Sequence, residues 1–408
     1  MDEQNRILSL LSISVGVLII GAVNYSAVLP QILDDLSVSS TAGGAMFSAF
    51  FVGYVLFVVP MGMLADRYSN HRILGISAIG AGVFGVSFGV FVESVSIGLL
   101  LRFGAGACFA GVYVPGLSAV TNVYDREKRG RAFGVYIGML SLCGGAAYPV
   151  AAWLEMIGGW RFAIVATSFP AIIVGVCILW RLDDYGRQTT QTGIFDASIF
   201  RNRSYWYAVT AYSGHNWELF GIQNWIVVYL VTTSGILTTD SPTVVAGILG
   251  GAVAGFGLPG NVLGGWISDH VGRVQTSAAA LFLSGCATVL FVVLGWPSLP
   301  VLIGWVVVYG VVLSADSAPL SAVITEISDN GTTGKALAGQ SLIGFTPAIV
   351  SPFVFGVAHD FSGFGLAFAL MACGAFGGCL ATVLLHRRLQ SEDAAAQPVD
   401  ARSRGRAN

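Results

Sequence analysis

Residues 62–72 read Gly62-Met63-Leu64-Ala65-Asp66-Arg67-Tyr68-Ser69-Asn70-His71-Arg72, a short charged segment between two long apolar runs. Such a segment is costly between membrane helices unless it lies in water, on the side that basic residues mark. The same Gly-x-x-x-Asp spacing returns 203 residues later, in Gly265-Trp266-Ile267-Ser268-Asp269-His270-Val271-Gly272-Arg273. This distance is half the chain, so the repeat predicts two related halves.

The composition is typical of a membrane protein. Of 408 residues, 55% are hydrophobic and 10% are charged, and the mean hydropathy is +0.75, whereas a soluble chain carries about 25% charged residues. A membrane-spanning helix needs roughly 20 apolar residues, while the strands of a barrel are about half as long and alternate with polar residues. The sequence therefore predicts an all-α integral membrane protein with twelve transmembrane helices, at 7–30, 42–64, 73–92, 95–122, 132–155, 162–182, 204–231, 243–267, 275–295, 299–325, 335–358 and 363–386.

Basic residues near the ends of the spans predict their orientation. Arg161 is the one basic residue in an odd-numbered loop, and acidic residues collect in those loops instead. Both termini are therefore predicted to be cytoplasmic, in a multi-pass protein of a prokaryotic cytoplasmic membrane. The first span has no cleavage site behind it and is predicted to be a retained helix. The basic residues that lie before the first span, after the last or in even-numbered loops include Arg6, Arg67, Arg72, Arg126, Lys128, Arg129, Arg131, Arg181, Arg187, Arg201, Arg203, Arg273, Lys335, Arg387 and Arg388.

Two further correspondences have nearly the same spacing as the first repeat. Gly130-Arg131-Ala132 matches Gly334-Lys335-Ala336 after 204 residues, and Pro149 matches Pro352 after 203. Repeats of this kind predict a duplication, with parallel six-helix repeats in the two halves. The predicted organisation is an N-terminal six-helix bundle at 1–182, a cytoplasmic linker at 183–203, a C-terminal six-helix bundle at 204–388 and a disordered cytoplasmic tail at 389–408.

Arg, His, Asp and Glu residues occur at four positions away from the ends of the predicted spans, where a charge without a partner is costly. If Arg102 in the fourth span faces a cavity, it would bind an anionic group or change the proton affinity of a nearby carboxylate. The alternative is that its side chain extends to the membrane interface near Glu93. His215 and Glu218 share one face of the seventh span, and Asp316 lies in the tenth. Intramembrane carboxylates commonly relay protons. The alternative for Glu218 and for Asp316 is a structural role, with hydrogen bonds to hydroxyl or amide neighbours.

Polar and aromatic residues inside the spans are candidates for the wall of a substrate cavity, because a tyrosine offers an apolar face and a polar tip. Ordinary packing is the alternative for each of them, and for Asn24 the alternative is a hydrogen bond between helices. The candidates are Asn24, Tyr25, Tyr54, Tyr113, Tyr136, Tyr148, Gln223, Asn224, Tyr309 and Gln340.

Several classes of function lack their sequence signature. The chain has no Walker-type phosphate loop for ATP-driven pumping, and no nucleophile or metal-hydrolase motif, so no enzyme activity is predicted. The pair His215-x-x-Glu218 is a poor zinc site because no further His or Cys clusters with it, so no metal or cofactor is expected. The basic stretch 124–134 lies between spans and indicates topology, which argues against a nucleic-acid partner. The six cysteines lie inside spans and are typical packing residues.

These motifs together resemble those of the major facilitator superfamily of secondary transporters, over nearly the whole chain. The segment at 62–72 is similar to the loop signature between the second and third helices of that family, and the segment at 265–273 is similar to its weaker copy between the eighth and ninth helices. The other matching stretches are Arg102-x-x-x-Gly106, Gly159-Trp160-Arg161-Phe162 and Arg201-Asn202-Arg203-Ser204.

The resemblance implies two six-helix domains around a central cavity and alternating access by rocking. It implies that Arg102 couples protons or contacts substrate. Ser69 and Asn70 depart from the glycine and basic residue that usually follow the Asp-Arg pair. Tyr148-Pro149 after Gly144-Gly145 replaces the Gly-Pro-x-x-Gly-Gly run of antiporters, so the direction of transport stays open. A conformational gate on the cytoplasmic side is implied for Gly62, Asp66, Arg67, Arg72, Gly265, Asp269 and Arg273.

The function predicted from these residues is secondary active transport of a small organic solute by a monomer, coupled to protons. The intramembrane residues Arg102, His215, Glu218 and Asp316, in a bundle without an ATP site, are the basis of this prediction. One alternative is a facilitator or exchanger of small anions that uses Arg102 as its anion site. Another is a membrane sensor that keeps the fold and does not transport. The expected partners are the substrate, protons and the lipid bilayer.

Overall fold

The structure is a computed structural model that describes residues 3–124, 126–182, 199–295, 298–328 and 333–396. In these ranges the chain forms helices and the turns between them, and no strand. The predicted linker residues 183–198 and the tail residues 397–408 lie outside the described part. The helices are α1 (Glu3–Ala27), α2 (Leu29–Asp35), α3 (Ser40–Arg67), α4 (Asn70–Phe91), α5 (Val95–Val123), α6 (Arg126–Arg181), α7 (Arg203–Leu230), α8 (Ser234–Leu237), α9 (Pro242–Gly255), α10 (Gly257–Val271), α11 (Arg273–Val293), α12 (Leu299–Ser314), α13 (Ser317–Glu326), α14 (Thr333–Gly344) and α15 (Thr346–Ala396), with a 3-10 turn at Ile199–Arg201.

Nine stretches of the described chain are long and apolar enough to cross a membrane. Two of them, Gly130–Arg181 and Lys335–Glu392, contain 52 and 58 residues, more than twice the roughly 20 that one crossing needs. The predicted seventh span, which is α7, is not among the nine. It carries His215, Glu218 and several amide side chains, and these lower its hydropathy.

The two longest helices are each broken near the middle by residues with the same backbone conformation. In α6 the break has φ −143° and ψ 16° at Gly158, then φ 78° and ψ 172° at Gly159. In α15 it has φ −147° and ψ 16° at Ser362, then φ 74° and ψ −169° at Gly363. Positive φ of this kind favours glycine. The breaks are 204 residues apart, which is the spacing of the sequence repeat.

Three of the predicted spans are each built from two helices. The span at 243–267 is divided between α9 and α10 at Phe256, and the span at 299–325 between α12 and α13 at Ala315 and Asp316. The span at 335–358 is divided between α14 and α15 at Phe345. A break inside a membrane helix frees backbone polar groups and is tolerated where neighbouring protein or a cavity surrounds it.

The end of α15 differs from the prediction. The sequence predicts disorder from residue 389, but the helix continues to Ala396. An ion pair between Arg388 Nη2 and Glu392 Oε1, 2.8 Å apart and four residues along the helix, supports these turns. The alanines at 394–396 are strong helix formers. The prediction is therefore wrong up to this point.

Helices within one half of the chain approach each other through glycines. We call α1–α6 the first half and α7–α15 the second half. Where α3 crosses α5, a Cβ on Gly106 would overlap the carbonyl oxygen of Phe50, and a Cβ on Gly53 would overlap that of Phe103. In the second half, a Cβ on Gly264 of α10 would overlap the backbone after α12. Small residues at crossings are typical of membrane helices, whose association depends on close packing.

The two halves meet along two seams that also contain glycines. In the seam between α3 and α15, a Cβ on Gly44 would overlap the carbonyl oxygen of Pro352. A Cβ on Gly356 would overlap the backbone of Ser40 in the same seam. In the seam between α6 and α9, a Cβ on Gly145 would lie 3.1 Å from the carbonyl oxygen of Gly251. Backbone therefore rests on backbone where the halves touch.

Gly106→Ala should lower the thermal stability of the protein, because the added methyl group must displace backbone at the α3–α5 crossing. Overpacking of this kind costs about 1–3 kcal/mol, which exceeds the roughly 0.5–1 kcal/mol that alanine gains over glycine in a helix. The measurement is the unfolding temperature of the purified protein in lipid nanodiscs. Gly138→Ala is the matched control, since nothing lies within 4 Å of a Cβ there. An unfolding temperature for Gly106→Ala equal to that of Gly138→Ala would contradict the prediction.

Candidate functional site

A central cavity of about 340 Å³ lies between the two halves. Its wall contains residues from α1, α3, α5 and α6 of the first half and from α7, α9, α10, α12 and α13 of the second. Pockets that hold small ligands commonly measure about 300–1,000 Å³. A ligand in this cavity would contact both halves.

Arg102 lies on the wall of this cavity and is only 4% exposed. Its guanidinium carbon is 4.7 Å from the ring centre of Tyr25 and 4.8 Å from that of Phe50. Nη1 and Nη2 each donate a long hydrogen bond of 3.4 Å to the carbonyl oxygen of Ala22. Nε has no acceptor and no carboxylate pairs with the side chain in the described part of the chain. The position near Glu93, weighed as the alternative, is not the one observed.

The surroundings of Arg102 leave part of its hydrogen-bonding capacity unused, because Nε has no acceptor among the described residues and the two bonds to Ala22 are long. Contacts with aromatic faces offset part of the free energy lost when a cation leaves water, by about 0.5–2 kcal/mol each. The planar guanidinium group still presents N–H donors in a geometry that matches a carboxylate. Arg102 can therefore bind a carboxylate from the cavity.

His215 lies on the wall contributed by the second half and is 3% exposed. Its Nδ1 is 2.9 Å from Oδ1 of Asp316, and its Nε2 is 2.8 Å from the hydroxyl of Ser317. Asp316 is the residue before α13, at the break that follows α12. The Nδ1–Oδ1 contact has the distance of an ion pair without the alignment of a hydrogen bond, and no other described group donates to the Asp316 carboxylate. His215 therefore stands between the cavity and a buried acid.

Glu218 is fully buried behind the wall and is bonded to hydroxyl groups. Ser284 donates to Oε2 and Thr288 donates to Oε1, each at 2.6 Å. The Thr288 hydroxyl is also 2.7 Å from the Tyr309 hydroxyl. Because the proton of Thr288 points to Glu218, Tyr309 is the donor in this second bond. The structural alternative for Glu218 predicts such hydroxyl neighbours. Because hydroxyl groups can rotate and either donate or accept, they also suit both the protonated and the ionised form of the Glu218 carboxyl.

Four of the predicted cavity candidates lie on the wall. They are Tyr54 and Tyr113 of the first half's α3 and α5, Tyr148 of α6, and Gln223 of α7. The Tyr148 hydroxyl donates a 2.8 Å hydrogen bond to the carbonyl oxygen of Gln223. This bond joins the two halves beside the cavity.

Asn24 does not lie on the wall in this structure. Its amide nitrogen donates to the hydroxyls of Thr167 and Ser168, at 2.8 and 3.3 Å. This is the hydrogen bond between helices that the sequence leaves as the alternative. The prediction of a cavity position for Asn24 is corrected on this geometry.

The remaining candidates also lie behind the wall, because hydrogen bonds to other parts of the protein orient them away from the cavity. The ring of Tyr25 contacts Arg102, while its hydroxyl donates to the carbonyl oxygen of Gly43 at 2.8 Å. These candidates are Tyr25, Tyr136 (bonded to the Tyr113 carbonyl), Asn224 (bonded to Ser26), Tyr309 (bonded to Thr288) and Gln340 (bonded to Ser321).

One end of the cavity is closed by contacts between the halves, and we call it the Asp35 end. Asp360 of α15 lies at the N-terminus of α3, where Oδ1 accepts from the backbone N–H of Ser40 at 3.0 Å. Oδ2 accepts from the backbone N–H and the hydroxyl of Thr41, at 2.8 and 2.7 Å. Asp360 thus caps a helix of the other half, and a carboxylate at a helix N-terminus is stabilising. The Ser40 hydroxyl is also 2.8 Å from Nδ1 of His359.

Arg161, the one basic residue predicted in an odd-numbered loop, is held by an acid at the same end. Its Nη2 is 3.3 Å from Oδ2 of Asp35, and its Nη1 donates to the carbonyl oxygen of Val92 at 2.9 Å. The indole N–H of Trp160 donates to the same Asp35 oxygen at 3.1 Å. The Asp35 carboxylate therefore compensates the charge of Arg161, the one basic residue that departs from the topology pattern.

The predicted gate residues lie at the opposite end, which we call the Arg273 end. Arg273 Nη1 is 3.4 Å from Asp269 Oδ1, and Arg273 Nε donates to Oε1 of Glu326. Arg67 and Arg72 are exposed. The side chain of Asp66 lies outside the described part of the structure. The glycines of this set, Gly62 and Gly265, lie in α3 and α10.

Phenylalanines of the wall are functional candidates that the sequence reasoning missed. Phe47, Phe50 and Phe51 lie on one face of α3 and line the cavity. Their spacing of three and four residues is the signal that could have identified them, because such residues share a helix face. The others are Phe109, Phe220 and Phe345.

Comparison with known proteins agrees with this architecture. A family model described as the Major Facilitator Superfamily matches residues 11–302 and 237–406. The chain is 24% identical over 416 residues to the hexuronate transporter of Bacillus subtilis (strain 168), covering 92% of this chain and 94% of that protein. It is 24% identical over 427 residues to the probable sulfoacetate transporter SauU of Cupriavidus necator, covering 94% and 95%.

A solved structure shares the fold. It is the crystal structure of a bacterial homolog to the human lysosomal transporter Spinster, in an inward-facing and occupied conformation. The TM-score is 0.79, with 18% sequence identity, and the match covers 95% of this chain and 97% of that one. At this identity the similarity concerns the fold alone.

Asp360→Ala should open the Asp35 end, because α3 loses a cap supplied by the other half. Loss of a helix cap costs about 0.5–2 kcal/mol, and 1–2 kcal/mol changes an equilibrium ratio about five- to thirtyfold. The measurement is the distance between spin labels at positions 34 and 240, by double electron–electron resonance, after replacement of the six native cysteines. A longer distance should gain population.

Glu93→Ala is the control for this experiment, since Glu93 is an exposed acid of the same region. It should leave the distance distribution as in the parent protein. An identical distribution in Asp360→Ala would show that the cap does not hold this end closed.

Proposed function

The chain belongs to the Major Facilitator Superfamily, and we propose that it moves a small organic anion across the membrane by alternating access, coupled to protons. It is a multi-pass membrane transporter and not an enzyme. The observation that carries the anion proposal is Arg102, a buried cation on the wall of the cavity between the halves, with no carboxylate partner among the described residues.

An anionic ligand would supply the partner that the protein itself does not give Arg102. A buried cation is stabilised by an opposite charge within hydrogen-bonding distance. A bound carboxylate would therefore gain both Coulomb energy and N–H donors at a side chain that is only 4% exposed. The names of two relatives, a hexuronate transporter and a probable sulfoacetate transporter, agree with an organic anion as substrate.

Proton coupling is proposed for the groups of the second half. A proton that enters from the cavity would first meet His215, and the Asp316 carboxylate 2.9 Å away would stabilise the protonated ring. Glu218 lies three residues further along the same helix, in its hydroxyl network. Binding of an anion beside Arg102 together with a proton at His215 would leave the charge of the cavity unchanged during the crossing.

We propose twelve membrane spans in two six-helix bundles, at 1–182 and 204–388, with 183–203 as the cytoplasmic linker. Nine apolar stretches, two of which are long enough for two spans and are broken in the middle, support this number together with α7. The breaks in α6 and α15 are separated by the same number of residues as the sequence repeat, which supports the duplication. The distribution of basic residues supports cytoplasmic termini and an Arg273 end on the cytoplasmic side.

The structure then represents an inward-facing state in this proposal. The contacts that join the halves at the Asp35 end, between Asp360 and α3 and between Gln31 and Thr243, support this assignment. The solved structure with a similar fold is also inward-facing. The residues of the proposed gate would close the Arg273 end in the other state. Bacterial relatives support a prokaryotic cytoplasmic membrane, and we propose a monomer.

Arg102→Gln should weaken the binding of the transported anion about ten- to hundredfold, because a charge-assisted hydrogen bond contributes about 1.5–3 kcal/mol. Arg102→Lys should recover part of the affinity, since the charge returns without the planar donor pair. The measurement is calorimetric titration of the purified protein with organic anions. Arg181→Gln is the control, because Arg181 is an exposed cation at the end of α6. Unchanged affinity in Arg102→Gln would end the proposal of an anion site there.

Asp316→Asn and Glu218→Gln should abolish accumulation driven by a pH gradient in proteoliposomes and should retain exchange of labelled for unlabelled anion. Each substitution removes a proton site and keeps the volume of the side chain. Asp34→Asn, in an exposed acid, should accumulate anion as the parent protein does. Accumulation that ignores the pH gradient in the parent protein, or that persists in both variants, would favour the alternative of an anion facilitator or exchanger.

A further inference from the structure

We propose that the substrate is an aromatic monocarboxylate, whose carboxylate binds Arg102 and whose ring packs in a belt of aromatic side chains that crosses from one half to the other. This inference rests on the proposed anion site and specifies its substrate class. Three properties of the cavity carry it: its charge, the continuity of its aromatic residues and the state of its polar groups.

The charges on the wall favour a single negative charge. Among the described residues of the wall, Arg102 is the one Arg or Lys, and no Asp or Glu is present. His215 is the other group that can be positive, but both of its ring nitrogens already contact Asp316 and Ser317. A second carboxylate on the ligand would therefore lose its hydration and find no cation on the wall to replace it.

The aromatic belt begins at Arg102. Phe50, which contacts the guanidinium group, is 5.6 Å from both Phe51 and Phe109, between ring centres. Phe51 is 4.9 Å from Phe220 of the second half, with the rings at 65°. We define the aromatic belt as these wall residues in contact order: Tyr54, Phe109, Phe50, Phe51, Phe220 and Phe345.

The geometry of the belt suits an aromatic ligand. Edge-to-face pairs with ring centres 4.5–7 Å apart contribute about 0.5–1.5 kcal/mol beyond simple burial, and neighbouring rings of the belt are 4.9–5.9 Å apart. A ligand ring that packs in the cavity against Phe51 and Phe220 would join this series. Because the belt crosses the boundary between the halves, the ligand would contact both of them.

The polar groups of the wall argue against a polyhydroxylated acid. Asn216 donates to the carbonyl oxygen of Gly344 at 2.7 Å, and Asn261 donates to that of Gly257 at 3.1 Å. The Tyr148 hydroxyl is bonded to the second half. These three donors would have to give up their present bonds before they could bind the hydroxyls of a sugar acid, and each group left unpaired costs about 1–3 kcal/mol. An aromatic ring needs no such partners.

The test is a binding panel with the purified full-length protein, by calorimetric titration at neutral pH. The probes are benzoate, cyclohexanecarboxylate, phthalate, galacturonate and benzamide. We expect benzoate to bind most tightly and cyclohexanecarboxylate to bind about two- to tenfold more weakly. Phthalate, galacturonate and benzamide should each bind at least about tenfold more weakly than benzoate, because they add a charge, add hydroxyls or lack the carboxylate.

Two variants test the belt itself. Phe51→Leu should weaken benzoate about two- to tenfold and leave cyclohexanecarboxylate nearly unchanged, because leucine keeps the apolar surface and removes the ring. A misfolded protein would lose both ligands. Phe57→Leu is the matched control on the same helix, since Phe57 is 36% exposed and lies off the cavity wall. It should bind both ligands as the parent protein does.

The outcomes separate this inference from the proposed function. If galacturonate or phthalate binds more tightly than benzoate, and Arg102→Gln removes that binding, the aromatic class is wrong and the anion site remains. If Arg102→Gln leaves the binding of all carboxylates unchanged, the anion site fails and this inference fails with it. Equal loss of benzoate and cyclohexanecarboxylate in Phe51→Leu would also overturn the role of the ring.

Discussion

Contact between the two halves depends on backbone meeting backbone. In lipid the hydrophobic effect does not drive helices together, so association depends on close packing and on hydrogen bonds between helices. Glycines at 44 and 356 in one seam and at 145 and 251 in the other allow this approach, and a side chain at any of them would hold the halves apart. The cavity, the aromatic belt and the Asp360 cap all require the halves to be this close.

The buried charges are divided between the halves in a way that keeps them available. Arg102 belongs to the first half, and His215, Asp316 and Glu218 belong to the second. A direct pair between Arg102 and a carboxylate would satisfy both charges inside the protein, and a ligand would then have to displace one of them. Instead, aromatic rings surround the cation, and a histidine and hydroxyl groups surround the acids. Each charge is therefore stabilised locally, which leaves it available for the proposed binding of a substrate or a proton.

The sequence predicts the helical fold and the repeat better than it predicts the site. Apolar runs and basic loops are local patterns, and the 204-residue spacing reappears in the backbone of Gly159 and Gly363. Whether a polar residue faces a cavity depends on the rotation of its helix against its neighbours, which no single span encodes. The sequence predicts a cavity position for both Asn24 and Tyr148, but Asn24 is hydrogen-bonded to Thr167 and Ser168 behind the wall. The phenylalanines were missed because an apolar residue in an apolar helix has no distinguishing signal until a cavity places several of them together.

Helix α3 connects the Asp35 end, the cavity and the Arg273 end. Its 28 residues make it about 42 Å long at 1.5 Å per residue. Asp360 caps its N-terminus, and its middle carries Phe50 and Phe51 of the aromatic belt. Its last turns contain residues 62–67 of the proposed gate. A ligand that contacts both Phe51 and Phe220 would attach the middle of this helix to the second half. A rocking motion about that point would then move the two ends of the helix in opposite directions. The cap would then break as the gate closes, which is the physical requirement of alternating access.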